Sequence, residues 1–320
     1  MKNTTKALFI LLTFVLLFNM VPVSSYAEEP DDQNTLPAVS YMSPDGTLQT
    51  CSEYTPVTED CTEMRDGWYV VNRDVTFNKV VTIQGTVNLI LCDGTTMNAS
   101  MGIFVAAKNN AALTIWGQRV DAGILNATGT KTEESAGIGT NNNKDYKYAG
   151  QITINGGTVN ATGGYHAAGI GGGSGNKGGT VSINGGVVTA KGYKDVCAIG
   201  HGSFSSDNGS LTLYDLASVK AGLNESAALQ LESARVHECQ YSPYAKIEPC
   251  THSHKEYEYN ATGHRATKCQ YCKMPAETAW TPHIMENGQC KVCGYRETIV
   301  PDNSGNNNSG NNSSKKNQSS

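Results

Sequence analysis

Two pairs of cysteines near the C-terminus, Cys269-x2-Cys272 and Cys290-x2-Cys293, stand 17 residues apart. Thiolates at this local spacing reach one tetrahedral ion from a single turn, and two such turns at this separation match a four-thiolate zinc ribbon. Cys250, His252, His254, His264 and His283 crowd the same stretch, and HRATKCQYC from His264 is roughly repeated as HIMENGQCKVC from His283. The spacing assigns Cys269, Cys272, Cys290 and Cys293 to one zinc ion and leaves His252, His264 and His283 available to a second. A closed, sulfur-rich site has no position open for substrate, so its role is structural. A disulfide framework is the alternative, since the ten cysteines are an even number and the chain carries an export signal. It would leave the accompanying histidines unexplained.

Other cysteine chemistry fits less well. Lys273 and Gly294 stand where covalent haem attachment needs histidine, and no βαβ pattern surrounds either CxxC as a thioredoxin-like site requires. Cys51 with Cys61, and Cys239 with Cys250, flank intervals that bridges could close. Cys92 and Cys197 lie in strand contexts, where a free cysteine is usually a small buried hydrophobe.

One stretch suggests catalysis. Gly200-His201-Gly202-Ser203 looks like the GHG motif of polygalacturonases, but its neighbour in an internal repeat carries Gly172 where His201 stands. Paired carboxylates for glycoside hydrolysis, or clustered Asp with a Lys or Arg base for a lyase, are not found nearby. No catalytic residue is assigned.

Binding chemistry is better represented. Asn142, Asp145, Tyr146 and Tyr148 fall in one inter-strand stretch, Tyr165 in the next and Tyr193 in a third. Aromatic faces stack on the apolar side of a sugar, and planar amides and carboxylates receive its hydroxyls. These six residues are the candidate ligand contacts, expected along one edge of the fold; ordinary solvated turns would use the same Asn and Asp.

The elements that position them are set by a repeat. GQITINGGTVNATGGYHAAGIGGGSG from Gly150 aligns without a gap over GTVSINGGVVTAKGYKDVCAIGHGSF from Gly179, at a constant offset of 29. Ile152, Ile154, Val159, Ala161 and Ile170 fall on Val181, Ile183, Val188, Ala190 and Ile199. Within each unit apolar residues alternate with polar ones, and glycine pairs punctuate the short strands. A repeat of this length that cannot bury its own apolar face must stack on its neighbours. The fold class is therefore all-β, a right-handed parallel β-helix with coils of about 30 residues, joined to a small Cys/His-rich module. Weaker copies, LNATG at Leu125, AGIG at Ala136 and LTL at Leu211, extend the coils from about Val75 to Gly222.

In chain order, residues 1–27 carry Lys2 and Lys6, the apolar run Ala7–Phe18 and Ser25-Tyr26-Ala27, a secretory signal peptide. Residues 28–65 look like a loosely ordered arm, 66–248 form the capped β-helix, 249–297 the Cys/His-rich module, and 298–320 a disordered Asn/Ser/Gly tail. The protein is expected outside the cell, free or at the cell surface, with no membrane insertion. Residues 28–248 hold 14 Lys or Arg against 23 Asp or Glu, a net charge of −9. An acidic shaft is a poor nucleic-acid ligand, and it would meet an anionic polymer only through bridging calcium.

DGWYVVNRDVTF from Asp66, VNLILCDG from Val87, the NATG, AGIG and INGG repeats and the HRATKC to CGY tail together resemble the secreted, Gly-rich β-helix proteins of Gram-positive anaerobes. That resemblance covers residues 60–296 and implies a carbohydrate-binding or adhesin-like role toward an extracellular polysaccharide or a host or bacterial glycan. A structural surface or matrix component, and a pectinase-like lyase or hydrolase, are the other readings.

Overall fold

The computed structural model describes residues 36–119 and 123–296, with the backbone of Lys316–Asn317. The segments expected as a signal peptide and, apart from that two-residue strand, as a disordered tail lie outside the described residues. Short strands wind through three parallel faces in turn. The coil Gln151–Ile154, Thr158–Thr162 and Ile170–Gly171 lies against Thr180–Ile183, Val187–Lys191 and Ile199–Gly200. Ile152 pairs with Val181, Ile154 with Ile183, Val159 with Val188, Ala161 with Ala190 and Ile170 with Ile199, all in parallel register. The offset of 29 is thus one turn of a parallel β-helix. The side chains of those ten residues point into the shaft and are fully or almost fully buried.

The register continues towards the N-terminus through Leu113 and Ile115, Leu125 and Ala127, and Ile138. There the sequence copies weaken because extra residues sit in the corners of that coil, while the strands keep their inward columns. Gly139, Gly171 and Gly200 stack on the third face at φ +145, +128 and +146. A Cβ on Gly139 or Gly171 would run into the backbone carbonyl of the glycine in the next coil. The AGIG repeat therefore records a column that only glycine can fill.

The outer surface of the second face carries a ladder of half-buried amides. Asn126 Nδ2 donates to Asn98 Oδ1, and Asn160 Nδ2 to Asn126 Oδ1, each at 2.9 Å.

Both ends of the shaft differ from expectation. Coil strands begin at Thr55–Pro56, ahead of Val75. The segment expected as a loose arm also contains a hairpin, Val39–Met42 with Leu48–Cys51, docked outside the first face. Its Tyr41 ring lies 4.9 Å from those of both Trp68 and Trp116. The three aromatic rings, with Val39 and Cys51 in the same cluster as Val70 and Ile90, supply the apolar contact that orders the segment.

At the other end, Ser210–Leu213 continues the first face, with Leu211 on Val181 and Leu213 on Ile183. Ala217–Gly222 does not continue the second. It pairs antiparallel with Tyr244–Pro249, which itself pairs antiparallel with Val187–Lys191. The chain has turned back through a 3-10 helix, Ser233–Tyr241, and inserted a returning strand between the last two coils. That strand closes the second face and delivers Cys250.

Candidate metal centres and an aromatic ledge

The C-terminal module is built on a hairpin, Lys255–Tyr259 with Gly263–Cys269. Its register shifts at Glu256/Tyr257, where Thr267 is the extra residue. Such a bulge reverses the alternation of faces, and burial indeed falls at His264, Ala266 and Cys269 rather than at Lys268. Two ligand-type residues thus share a face at opposite ends of one strand, about 16 Å apart along an extended chain. Glu277 pins the following loop to the hairpin, accepting from Ala266 N at 3.1 Å and Lys255 Nζ at 3.0 Å.

Each end of that strand gathers its own cluster. Cys250, His252, Cys269 and Cys272 form one, and His264, His283, Cys290 and Cys293 the other, with all ligand atoms of a cluster within 4.8 Å of one another. In the first, Cys250 Sγ is 3.7 Å from Cys269 Sγ and Cys272 Sγ is 3.3 Å from His252 Nδ1. In the second, Cys290 Sγ lies 3.9 Å from His264 Nδ1 and Cys293 Sγ 3.5 Å from His283 Nδ1. A tetrahedron with zinc-to-ligand lengths of about 2.3 Å for sulfur and 2.0–2.1 Å for nitrogen has edges of roughly 3.7 Å between sulfurs and 3.6 Å between sulfur and nitrogen. Both clusters therefore fit a tetrahedral thiophilic ion. All ten cysteines are unbridged, so neither the Cys51–Cys61 nor the Cys239–Cys250 pairing is formed.

The single four-thiolate site expected from the spacing is not what forms. The two CxxC turns lie at opposite ends of the Gly263–Cys269 strand, and each is completed by residues from its own end. CxxC spacing alone is shared by both arrangements, which is why the sequence did not separate them. Cys250, a candidate ligand by its place in the sequence but assigned to neither ion there, completes the first cluster; its signal was the close Cys250-x-His252 pair.

The electrostatics agree with a cation. Burial pushes the Cys250, Cys272 and Cys293 thiols up, and the neighbouring Cys250 and Cys269 sulfurs help carry Cys272 to about 12. Burial also opposes ionisation of Cys269 and Cys290, but hydrogen bonds together outweigh it: from the Tyr271 N–H and the Cys250 and Cys272 side chains for Cys269, and from the Cys293 and Val292 N–H groups and the His283 side chain for Cys290, which falls to about 6. Without added positive charge, each crowded cluster accommodates few thiolates. Burial and the neighbouring His283 lower the pKa of His264 from the ordinary histidine value, which favours the neutral imidazole. His283 Nε2 lies 2.8 Å from Asn260 O, an atom that only accepts, so Nε2 carries the proton and Nδ1 offers its lone pair towards Cys293.

The candidate ligand contacts divide between two edges. Asn142, Asp145, Tyr146 and Tyr148 follow the third strand of their coil, Ile138–Gly139, whereas Tyr165 and Tyr193 follow second strands, Thr158–Thr162 and Val187–Lys191. The single edge foreseen for all six is therefore two edges flanking the narrow third face. Tyr165 and Tyr193 come together, with ring centroids 4.8 Å apart. His166, the sequence neighbour of Tyr165 in the same loop, and Phe204, missed in the sequence, complete a ledge. The His166 ring lies 3.9 Å from Tyr165 and 5.3 Å from Phe204, and Phe204 is 82% exposed. His166 and Phe204 both hold positive φ, +57 and +65. Ser203 N donates to His166 O at 2.8 Å, joining the two edges across the third face.

Tyr146 packs edge-on against Phe104 at 4.9 Å, and both line a cleft of about 300 Å³ with Gln84, Asn109 and Glu133. Tyr148 is engaged by Lys177, whose Nζ donates to its hydroxyl at 2.9 Å; Asn142 and Asp145 are exposed. His201 turns towards its own loop. Its Nδ1 is 2.7 Å from Gly202 O and its Nε2 3.7 Å from Cys197 Sγ.

Residues 152–174 and 181–203 each match a family model described as a beta helix repeat, and these segments are the two coils of the constant offset. No curated protein and no solved structure matches the chain. No described helix is long and apolar enough to cross a membrane.

Proposed function

We propose that this β-helix protein is exported and binds glycans without catalysis, and that the metal of its C-terminal module is zinc. The observation that carries the glycan reading is the ledge of Tyr165, His166, Tyr193 and Phe204. Exposed aromatic rings cost solvation free energy, and non-glycine residues at positive φ add strain of roughly 1–3 kcal/mol each. A surface that retains both is suited to a partner with an apolar face, and a pyranose ring has one. The Phe104–Tyr146 cleft, with amides and a carboxylate beside the rings, is a shallow companion to the ledge. Coils stacked about 4.8 Å apart would let an extended polysaccharide make several weak contacts in series. The negative shaft favours a neutral or amino-substituted sugar over an anionic one, unless calcium bridges the contact. Zinc is favoured for the module because mixed thiolate and imidazole ligands at tetrahedral edge lengths are its usual structural set. A glycan array probed with the purified mature protein tests the binding reading. Neutral or amino-sugar polymers should respond; silence across the array would favour a structural surface component.

A further inference from the structure

We infer that the module holds two metal ions in interleaved sites, and that the ion at Cys250, His252, Cys269 and Cys272 is the clasp fastening the module and the end cap to the β-helix. The inference rests on the zinc reading above and adds the number of ions, their ligands and the task of one of them.

Interleaving is visible in chain order. His264, a ligand of the second cluster, lies between His252 and Cys269, both of the first. The strand Gly263–Cys269 carries one ligand at each end, so ordering it for one ion also presents a ligand to the other.

The clasp follows from where the first cluster is anchored. Cys250 directly follows Tyr244–Pro249, the strand inserted between Val187–Lys191 and Ala217–Gly222. Its N–H donates to Leu216 O at 2.9 Å. Lys273, next to Cys272, donates from its N–H to Asp215 O at 2.7 Å, and Ser233 N donates to Gln270 O at 2.9 Å. Three backbone hydrogen bonds thus tie the first cluster's chain to the last coil and the 3-10 helix. Cys272 and Lys273 also wall a cleft of about 220 Å³ over Leu211, Leu213 and Tyr214, where the final rung of the first face is only half covered. The second cluster is held within the module: His283 is fixed by Asn260 and stacks on Tyr295 at 4.3 Å. An ion in the first site therefore joins strand, turn and coil, whereas an ion in the second joins only parts of the module.

The test compares Cys250→Ser with Cys293→Ser in the full mature chain. Readouts are zinc per chain by elemental analysis, native alkylation of thiols, and hydrogen exchange of peptides spanning 210–222 and 244–249. The parent should carry two zinc ions and hold five thiols, Cys250, Cys269, Cys272, Cys290 and Cys293, in a protection that chelator abolishes, as distinct from the burial that shields Cys51, Cys197 and Cys239. Each variant should lose one ion, but only Cys250→Ser should raise exchange in the cap peptides, by about tenfold or more. His252→Ala, which keeps all thiols, should reproduce that pattern. If Cys250→Ser fails to fold, zinc count and cap exchange in His252→Ala decide alone. One ion with four thiols in chelator-sensitive protection would overturn the two-site assignment while leaving zinc in place. Two ions with cap exchange unchanged in His252→Ala and in any folded Cys250→Ser, or raised equally by Cys293→Ser, would overturn the clasp. A zinc-free parent without free thiols would instead remove the zinc reading and the inference together.

Discussion

The sulfur of Cys250 lies 3.7 Å from that of Cys269, although one follows a strand woven into the β-helix cap and the other ends a strand of the C-terminal hairpin. Such proximity between two thiols and two further ligands is stable only if something offsets their mutual repulsion on ionisation. Chelation should therefore lower the thermal midpoint of the protein, and added zinc should restore it with a dependence on free-metal concentration, since an ion that binds only the folded form stabilises by mass action. A midpoint indifferent to strong chelator would argue against a structural ion.

The inward columns give a prediction for the shaft. Ile183 is fully buried between Ile154 and Leu213 in adjacent coils. Ile183→Asp places a carboxylate in a dry core and should lower stability by several kcal/mol. Ser182→Asp, one residue away on the outer surface, should change it by about 0.5 kcal/mol or less. Equal denaturation midpoints for the two variants would mean that the column is misassigned.

The asparagine ladder should be cooperative at its centre. Asn126 both donates to Asn98 and accepts from Asn160. Asn126→Ala removes two half-buried hydrogen bonds and leaves two amides short of a partner, so a loss of about 1–2 kcal/mol is expected in urea unfolding.

Tyr41 should be the main aromatic anchor of the N-terminal hairpin, beside the smaller contacts of Val39 and Cys51. Tyr41→Ala removes the ring between Trp68 and Trp116, two aromatic contacts of about 0.5–1.5 kcal/mol each beyond area burial. Tryptophan fluorescence should shift towards that of solvated indole while the far-ultraviolet signal of the shaft persists. An unshifted spectrum would mean that the hairpin docks by other contacts.

The repeating part of the fold was legible because its physics is local and periodic: the residue pairs aligned at an offset of 29 are the pairs found in register. What was not legible depends on partners distant in sequence. Tyr244–Pro249 has the alternation of any half-buried strand, and nothing in it announces insertion between Val187–Lys191 and Ala217–Gly222. The docking of Tyr41 depends on Trp68 and Trp116, which are outward positions of two different coils. In the module the right residue types were visible, but their division into two clusters is set by the Thr267 bulge and the hairpin register, features that residue spacing does not encode. The tyrosines were visible too; which edge each occupies was hidden, because strand and corner lengths vary between coils.

Retention on immobilised polysaccharide tests the functional account most directly. The protein and its Tyr165→Ala/Tyr193→Ala/Phe204→Ala variant, both starting at Glu28 and matched for folding by circular dichroism, are passed over insoluble neutral and amino-sugar polymers and mucin, with and without chelator. The account predicts that the parent is retained on at least one polymer and that the variant is retained at least about tenfold less, as the loss of stacking contacts worth about 1.4 kcal/mol in total would give. Equal retention of parent and variant, or no retention of the parent on any of them, would contradict it.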